Sequence, residues 1–148
     1  MTQFRRTWVF AILVAAGLSA LAAGHGCTVI PADGQTNQYT SVTAAEAQDL
    51  IQAHADDPNF VILDVRTPAE FAAGHIADAI NIDVNANSPS FANAVSSLEK
   101  SRSYLVYCGS QHRSPAAISI MQQQGFASLY EITGGLAQWQ AAGLPLVQ

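Results

Sequence analysis

The sequence predicts an α/β fold in which a mainly parallel central sheet of about five strands is covered by helices on both faces. Two observations carry this. From Tyr39 onward, short strand-like runs alternate with helix-like runs, the pattern of a parallel sheet with helical crossovers. One run, "FVILDV" at Phe60–Val65, is continuously apolar, as suits a strand buried on both faces.

The elements follow in order. "YTSV" (Tyr39–Val42) is a short strand, and Thr43 with Glu46 forms a capping box that starts a helix reaching about His54. After the Phe60–Val65 strand, Thr67, Pro68 and Glu70 supply an N-cap, a proline at the first helical position and an acid at the third. Further strands are expected at Ala79–Ile82, Tyr104–Tyr107 and Leu129–Ile132. The intervening helices are expected at Phe91–Glu99, Pro115–Gln124 and Leu136–Ala142. No internal repeat divides the chain, and residues 39–148 read as one domain.

Composition excludes several functions. Of 148 residues, 49% are hydrophobic and 11% charged, which argues for a folded core. Six Lys and Arg in a chain of net charge −5 argue against nucleic acid as a partner. The four histidines are scattered and neither cysteine has a near partner, so no metal site is expected and no cofactor is implied.

Residues 1–26 read as a signal peptide or N-terminal anchor. Arg5 and Arg6 precede an uncharged run, Trp8–Ala23, that falls short of the roughly 20 residues needed to span a bilayer comfortably. Ala20 and Ala22 form a small pair for cleavage after Ala22. The residues leave three fates open: export with cleavage, lipid attachment at Cys27, or an uncleaved anchor, with cleavage preferred. Export to the periplasm or cell envelope is expected, and any membrane contact is through this segment. Residues 27–38 read as a linker. A Cys27–Cys108 bridge is conceivable in an exported chain, but a lone pair at this spacing is no disulfide framework.

The chemistry points to "YLVYCGSQHRSPAAI", Tyr104–Ile118. Ligands of such sheets bind beyond the carboxyl ends of the strands, where Cys108 falls. Gly109–Arg113 form a turn, and Ser114 is placed to cap a helix beginning at Pro115. Backbone N–H groups and the positive end of the helix dipole would converge near the sulfur. A thiol with an ordinary pKa of about 8.5 is only about 3% thiolate at pH 7. The dipole supplies at most about 2 kcal/mol toward the anion. N–H donors or Arg113 must therefore contribute as well.

Three stretches in this order resemble the rhodanese (thiosulfate sulfurtransferase) family: "DVRTPAEFAAGHIADAINI" from Asp64, "CGSQHRS" from Cys108, and "GGLAQW" from Gly134. The resemblance covers roughly Tyr39–Gln148. It implies that Cys108 is the nucleophile, accepting a sulfane sulfur as a persulfide and passing it to a thiol or cyanide. By the same resemblance Gly109, Ser110, Gln111, His112, Arg113 and Ser114 would bind the substrate, Arg113 orienting a small anionic donor such as thiosulfate. A protein is a further possible acceptor. The loop from Cys108 to Arg113 has six residues, one fewer than in phosphatases of this fold, which favours sulfur over phosphate. Two readings stand beside this one: a non-catalytic sulfur-binding or protein-interaction module, and a cysteine-dependent phosphatase or arsenate reductase.

The chain departs from the family at two positions. Gly109 stands where an Arg is frequent and Gln111 where a Gly is frequent. If the cradle needs a positive φ at the fourth position, Gln111 must adopt it with strain or the loop must differ slightly. Asp64 and Arg66 are supporting residues. Asp64 is expected to bond backbone around the active loop, and Arg66 to pair with Glu70. His112 is expected to face solvent and His75 to be a packed turn histidine. Trp139 and Met121 belong to the core.

Overall fold

Why two layers of helices should enclose one sheet follows from the path of the chain. A computed structural model describes residues 38–85 and 89–148. The expected signal or anchor at 1–26, Cys27 and all but the last residue of the linker lie outside the described residues. The strands are β1 (Gln38–Val42), β2 (Phe60–Asp64), β3 (Ile80–Asn81), β4 (Ser103–Tyr107) and β5 (Ser128–Ile132). They lie in the order β1-β5-β4-β2-β3, and every pairing is parallel. The chain first steps across the sheet in one direction, β1 to β2 to β3, and then returns through β4 to β5. With crossovers of one hand, reversing direction moves the helices to the opposite face.

The helices are α1 (Ala44–Ala53), α2 (Pro68–Ala73), α3 (Pro89–Ser96), α4 (Ser114–Gln123) and α5 (Gly135–Ala141). Side chains of β4 alternate between two cores, as the pleat requires. Tyr104, Val106 and Cys108 join Phe91, Val95, Ala117, Ile118 and Met121 from α3 and α4. Leu105 and Tyr107 join Ala44, Ala47, Leu136 and Trp139 from α1 and α5. Burial of each large side chain contributes about 2 kcal/mol before chain entropy is counted. Trp139 and Met121 are core residues, as expected, and the Trp139 indole donates to Pro145 O at 2.9 Å.

Both expected capping boxes form. Thr43 and Glu46 exchange bonds at the start of α1, and Thr67 and Glu70 do so at α2. Three elements are shorter than expected. β2 stops at Asp64, one residue before the expected Val65. β3 has two residues, although Ile82 N and Val84 N go on bonding Asp64 O and Val65 O. α3 ends three residues early, where Ser96 and Ser97 turn their hydroxyls onto Asn93 O and Ala94 O. Such back-bonding competes with helix continuation. Among the described residues, no helix is long and apolar enough to cross a membrane.

Candidate active site

The end of β4 delivers Cys108 to the C-terminal rim of the sheet, and its thiol is free and wholly buried. The loop that follows bends back so that Arg113 N–H reaches Sγ at 3.4 Å, with Ser114 Oγ 3.5 Å away. Burial pushes the Cys108 pKa up. The Ser114 hydroxyl and the backbone N–H groups of Arg113, Ser114 and Ser110 outweigh it, and the net shift is downward. The buried sulfur thus ionises more readily than an ordinary thiol.

The loop is anchored from behind by α5. Leu136 N donates to Cys108 O at 2.8 Å, and Ala137 N to Gly109 O at 3.0 Å. Two orphan N–H groups of the α5 first turn therefore find partners in the loop carbonyls. That approach requires Gly135, where φ is 61° and an added Cβ would lie 2.4 Å from Cys108 O.

Gln111 adopts φ 65°, the left-handed conformation its position demanded. Its side chain is the compensation: Oε1 accepts from Gly134 N at 2.8 Å, and Nε2 donates to Glu131 Oε2 at 3.1 Å. Gln111 thus ties the loop to β5 and the turn before α5. Ser110 and His112 are exposed, joined by a 2.9 Å contact between Ser110 Oγ and His112 Nδ1. His112 faces solvent as expected.

Arg113 makes two 2.7 Å bonds to Glu70, Nη1 to Oε2 and Nη2 to Oε1. Thr67 N and Oγ1 also donate to Glu70 Oε2. Chiefly because of Arg113, the Glu70 carboxyl is lowered from 4.5 to about 2. The pair stands beside Gly109, where a Cβ would lie 3.3 Å from Arg113 Nη2 and 3.9 Å from Glu70 Oε1.

The site is a rim cysteine under a six-residue loop with converging N–H donors. A family model described as Rhodanese-like domain matches residues 43–142. The chain belongs to the rhodanese-like family. It is 33% identical over 106 residues to a "Sulfurtransferase" of Allochromatium vinosum, covering 72% of this chain and 95% of that protein. It is 35% identical over 114 residues to "Thiosulfate sulfurtransferase 16, chloroplastic" of Arabidopsis thaliana, covering 72% and 91%. A rhodanese-related protein from Thermoplasma volcanium superposes with a TM-score of 0.58 at 31% identity, covering 74% of this chain and 98% of that one.

Three sequence expectations within this rhodanese-like site are corrected. Arg66 does not pair with Glu70: its Nε and Nη2 grip Asp64 at 2.6 to 3.0 Å, and Nη2 also donates to Gly74 O at 2.8 Å. The i,i+4 rule fails here because Arg66 precedes α2 and is not on its surface. Asp64 bonds Arg66 N, not the active loop. Asp64 and Arg66 instead brace the turn from which α2 presents Glu70. Ser114 is the first residue of α4, not its cap; the cap position is Arg113, which makes no side-chain cap bond. Ser114 is buried, and its Oγ lies between Cys108 Sγ and Glu131 Oε1, 2.6 Å from the latter. His75 is a packed turn histidine as expected, stacked on Phe71 at 3.7 Å between ring centroids.

Glu131 is the residue that sequence reasoning missed. It is fully buried on β5, at the centre of bonds from Ser114, Gln111 and Tyr39. An acid inside the apolar run "SLYEI" was the available signal.

Proposed function

We propose that this protein is a sulfurtransferase that carries a sulfane sulfur on Cys108. The carrying observation is the Cys108 sulfur at the end of β4, receiving the Arg113 N–H and facing the Ser114 hydroxyl. The thiolate attacks the outer sulfur of a small anionic donor such as thiosulfate. A bond forms between the two sulfurs, the S–S bond of the donor breaks, and sulfite leaves with its electron pair. A thiol or cyanide then attacks the outer sulfur of the persulfide, and the Cys108 thiolate is the leaving group. N–H groups of the loop from Gly109 to Ser114 stabilise the anionic sulfur in both steps.

Arg113 is the arginine of the loop, and its bidentate hold on Glu70 leaves it partly neutralised. It positions the loop first and attracts the donor second. The six-residue loop supports sulfur over phosphate chemistry. A protein thiol is a further acceptor of the right chemistry. Residues 1–26 would act as the export signal or anchor, which places the reaction in the periplasm or cell envelope. N-terminal sequencing of the protein isolated from cells tests that placement.

The decisive experiment is intact mass after incubation with excess thiosulfate, beside Cys108→Ser and Cys27→Ser. A gain of about 32 Da that cyanide removes, retained in Cys27→Ser and absent in Cys108→Ser, is the expected result. If neither thiosulfate nor polysulfide changes the wild-type mass while the thiol is free, the sulfurtransferase reading fails.

A further inference from the structure

The charges around the active loop bear on the kind of donor it receives. Lys and Arg among the described residues are Arg66, Lys100, Arg102 and Arg113. Lys100 and Arg102 precede β4, and the strand carries Cys108 roughly 17 Å away from them. Arg66 is bound to Asp64 and to Gly74 O. Arg113 remains, and both of its terminal nitrogens are on Glu70. The charge of Asp83, just beyond β3, also bears on this guanidinium. The arginines of the rim, Arg66 and Arg113, are thus outnumbered by Asp64, Glu70 and Asp83.

Neither the loop nor its surroundings make up the difference. Gly109, next to the nucleophile, adds no side chain, and a Cβ there would lie 3.3 Å from Arg113 Nη2 and 3.9 Å from Glu70 Oε1. His112 is exposed, with its Nδ1 2.9 Å from Ser110 Oγ. The cleft that borders the loop at Gln111, of about 510 Å³, has an uncharged lining that includes Thr43, Thr133 and Gln138. The backbone N–H groups around Cys108 serve any anionic sulfur alike. A second negative charge on the donor finds no free cation, and an anion brought out of water without a partner is penalised.

We propose that the sulfane sulfur reaches Cys108 from a donor carrying at most one negative charge, of the hydropersulfide class R–S–SH, and that Glu70 and Gly109 set this preference over dianionic thiosulfate. The proposal deepens the sulfurtransferase reading and rests on it. The Cys108 thiolate attacks the outer sulfur, a bond forms between the two sulfurs, and the S–S bond of the donor breaks. R–S⁻ leaves with the electron pair, and the proton of the outer sulfur stays on the new persulfide. Thiosulfate would undergo the same displacement with sulfite as leaving group, but it brings two charges toward a thiolate whose nearest arginine is already shared.

Persulfide formation on the full reduced protein is followed by intact mass with three donors. They are thiosulfate, methanethiosulfonate, which offers the same sulfonyl-bound sulfur with one charge fewer, and cysteine hydropersulfide. Each second-order constant is divided by that of the same donor with 2-mercaptoethanol at the same pH, so that intrinsic reactivity cancels. At low salt this enhancement should be greatest for cysteine hydropersulfide and least for thiosulfate. Sodium chloride should raise the protein's constant with thiosulfate, because repulsion is screened. Gly109→Arg supplies a second guanidinium, and the added Cβ meets only the side-chain ends of Arg113 and Glu70. It should raise the ratio of the thiosulfate to the methanethiosulfonate constant about fivefold at low salt, the Coulomb gain of one charge about 4 Å away in water. A thiosulfate enhancement above the other two, or a thiosulfate constant that falls with salt, overturns the proposal whether or not the variant folds. A folded Gly109→Arg with an unchanged ratio overturns it as well. No mass gain from any of the three donors, with the thiol free, would instead sink the sulfurtransferase reading and the donor assignment with it.

Discussion

Arg113 places both terminal nitrogens on the Glu70 carboxylate, 2.7 Å from each oxygen, and so links the active loop to the first turn of α2. The contact is part-buried, with the Glu70 side chain 39% and that of Arg113 25% exposed. It therefore orders the loop while holding back the charge that an anionic donor would seek. Glu70→Gln keeps an acceptor for Thr67 and releases the guanidinium. A freed cation within about 4 Å of an anion in water gains about 1 kcal/mol, so the rate constant with thiosulfate at low concentration should rise about fivefold. The gain should shrink as salt is added. Steady-state kinetics at two ionic strengths measure it, and an unchanged or lower rate would show that Glu70 positions Arg113 productively.

The same pair sets an acid limit. Glu70 takes its proton near 4.5 when unfolded but near 2 when folded, with Arg113 the main cause. The folded state thus forgoes a proton that the unfolded chain binds, and stability from this pair is full above about 4.5 and lost as pH falls toward 2. Partial exposure limits the effect to about 1 kcal/mol. Urea unfolding at pH 5 and pH 2.5 should show a smaller acid-induced loss in Glu70→Gln than in the wild type.

Gly135→Ala should cost at least about 3 kcal/mol, because a Cβ 2.4 Å from Cys108 O clashes with backbone and cannot rotate away. Its φ of 61° adds strain for any side chain. Thermal unfolding should show a lowered midpoint, and Cys108 should alkylate faster as the loop loses its backing. Gly143→Ala is the contrast: it shares positive φ but has nothing within 4 Å of the added carbon, and should cost about 1 kcal/mol.

The sheet and the site loop were legible because local signals agreed with the fold: both capping boxes, the Phe60–Asp64 run and the rim cysteine say the same thing at every level. What was hidden was pairing across the sheet. Glu70 lies four residues from Arg66, yet it meets Arg113, 43 positions away. Glu131 gathers Tyr39 from β1, and Gln111 and Ser114 from the loop after β4. A single sequence carries charge and spacing but not which distant strand ends lie side by side. Ser114 was misread for a related reason: its buried partner on β5 outcompetes the local backbone that a capping serine would have used.

Asp64→Asn should be the most destabilising polar substitution near the site. Asp64 is wholly buried and Arg66 is 6% exposed, so removing one charge strands the other in the interior. Loss of a buried partner of this kind costs about 3 to 5 kcal/mol. The double variant Asp64→Leu with Arg66→Met should recover part of that loss, because no charge is left unpaired. A double-mutant cycle by urea unfolding measures the coupling, and additive losses would show that the pair is not the source of the effect.

Gln111→Gly sets backbone against side chain. Glycine relieves the φ of 65° at this position, a gain of about 1 kcal/mol. The same change deletes the bond from Nε2 to the buried Glu131 and leaves Gly134 N without its acceptor. A bond to a charged group contributes about 1.5 to 3 kcal/mol and a neutral one about 1. The losses win, and Gln111→Gly should be destabilised by about 1.5 to 3 kcal/mol although its loop moves closer to the family pattern. Denaturant unfolding beside the wild type measures the net, and a variant as stable as the wild type would show that the left-handed backbone at Gln111 costs as much as its two bonds return.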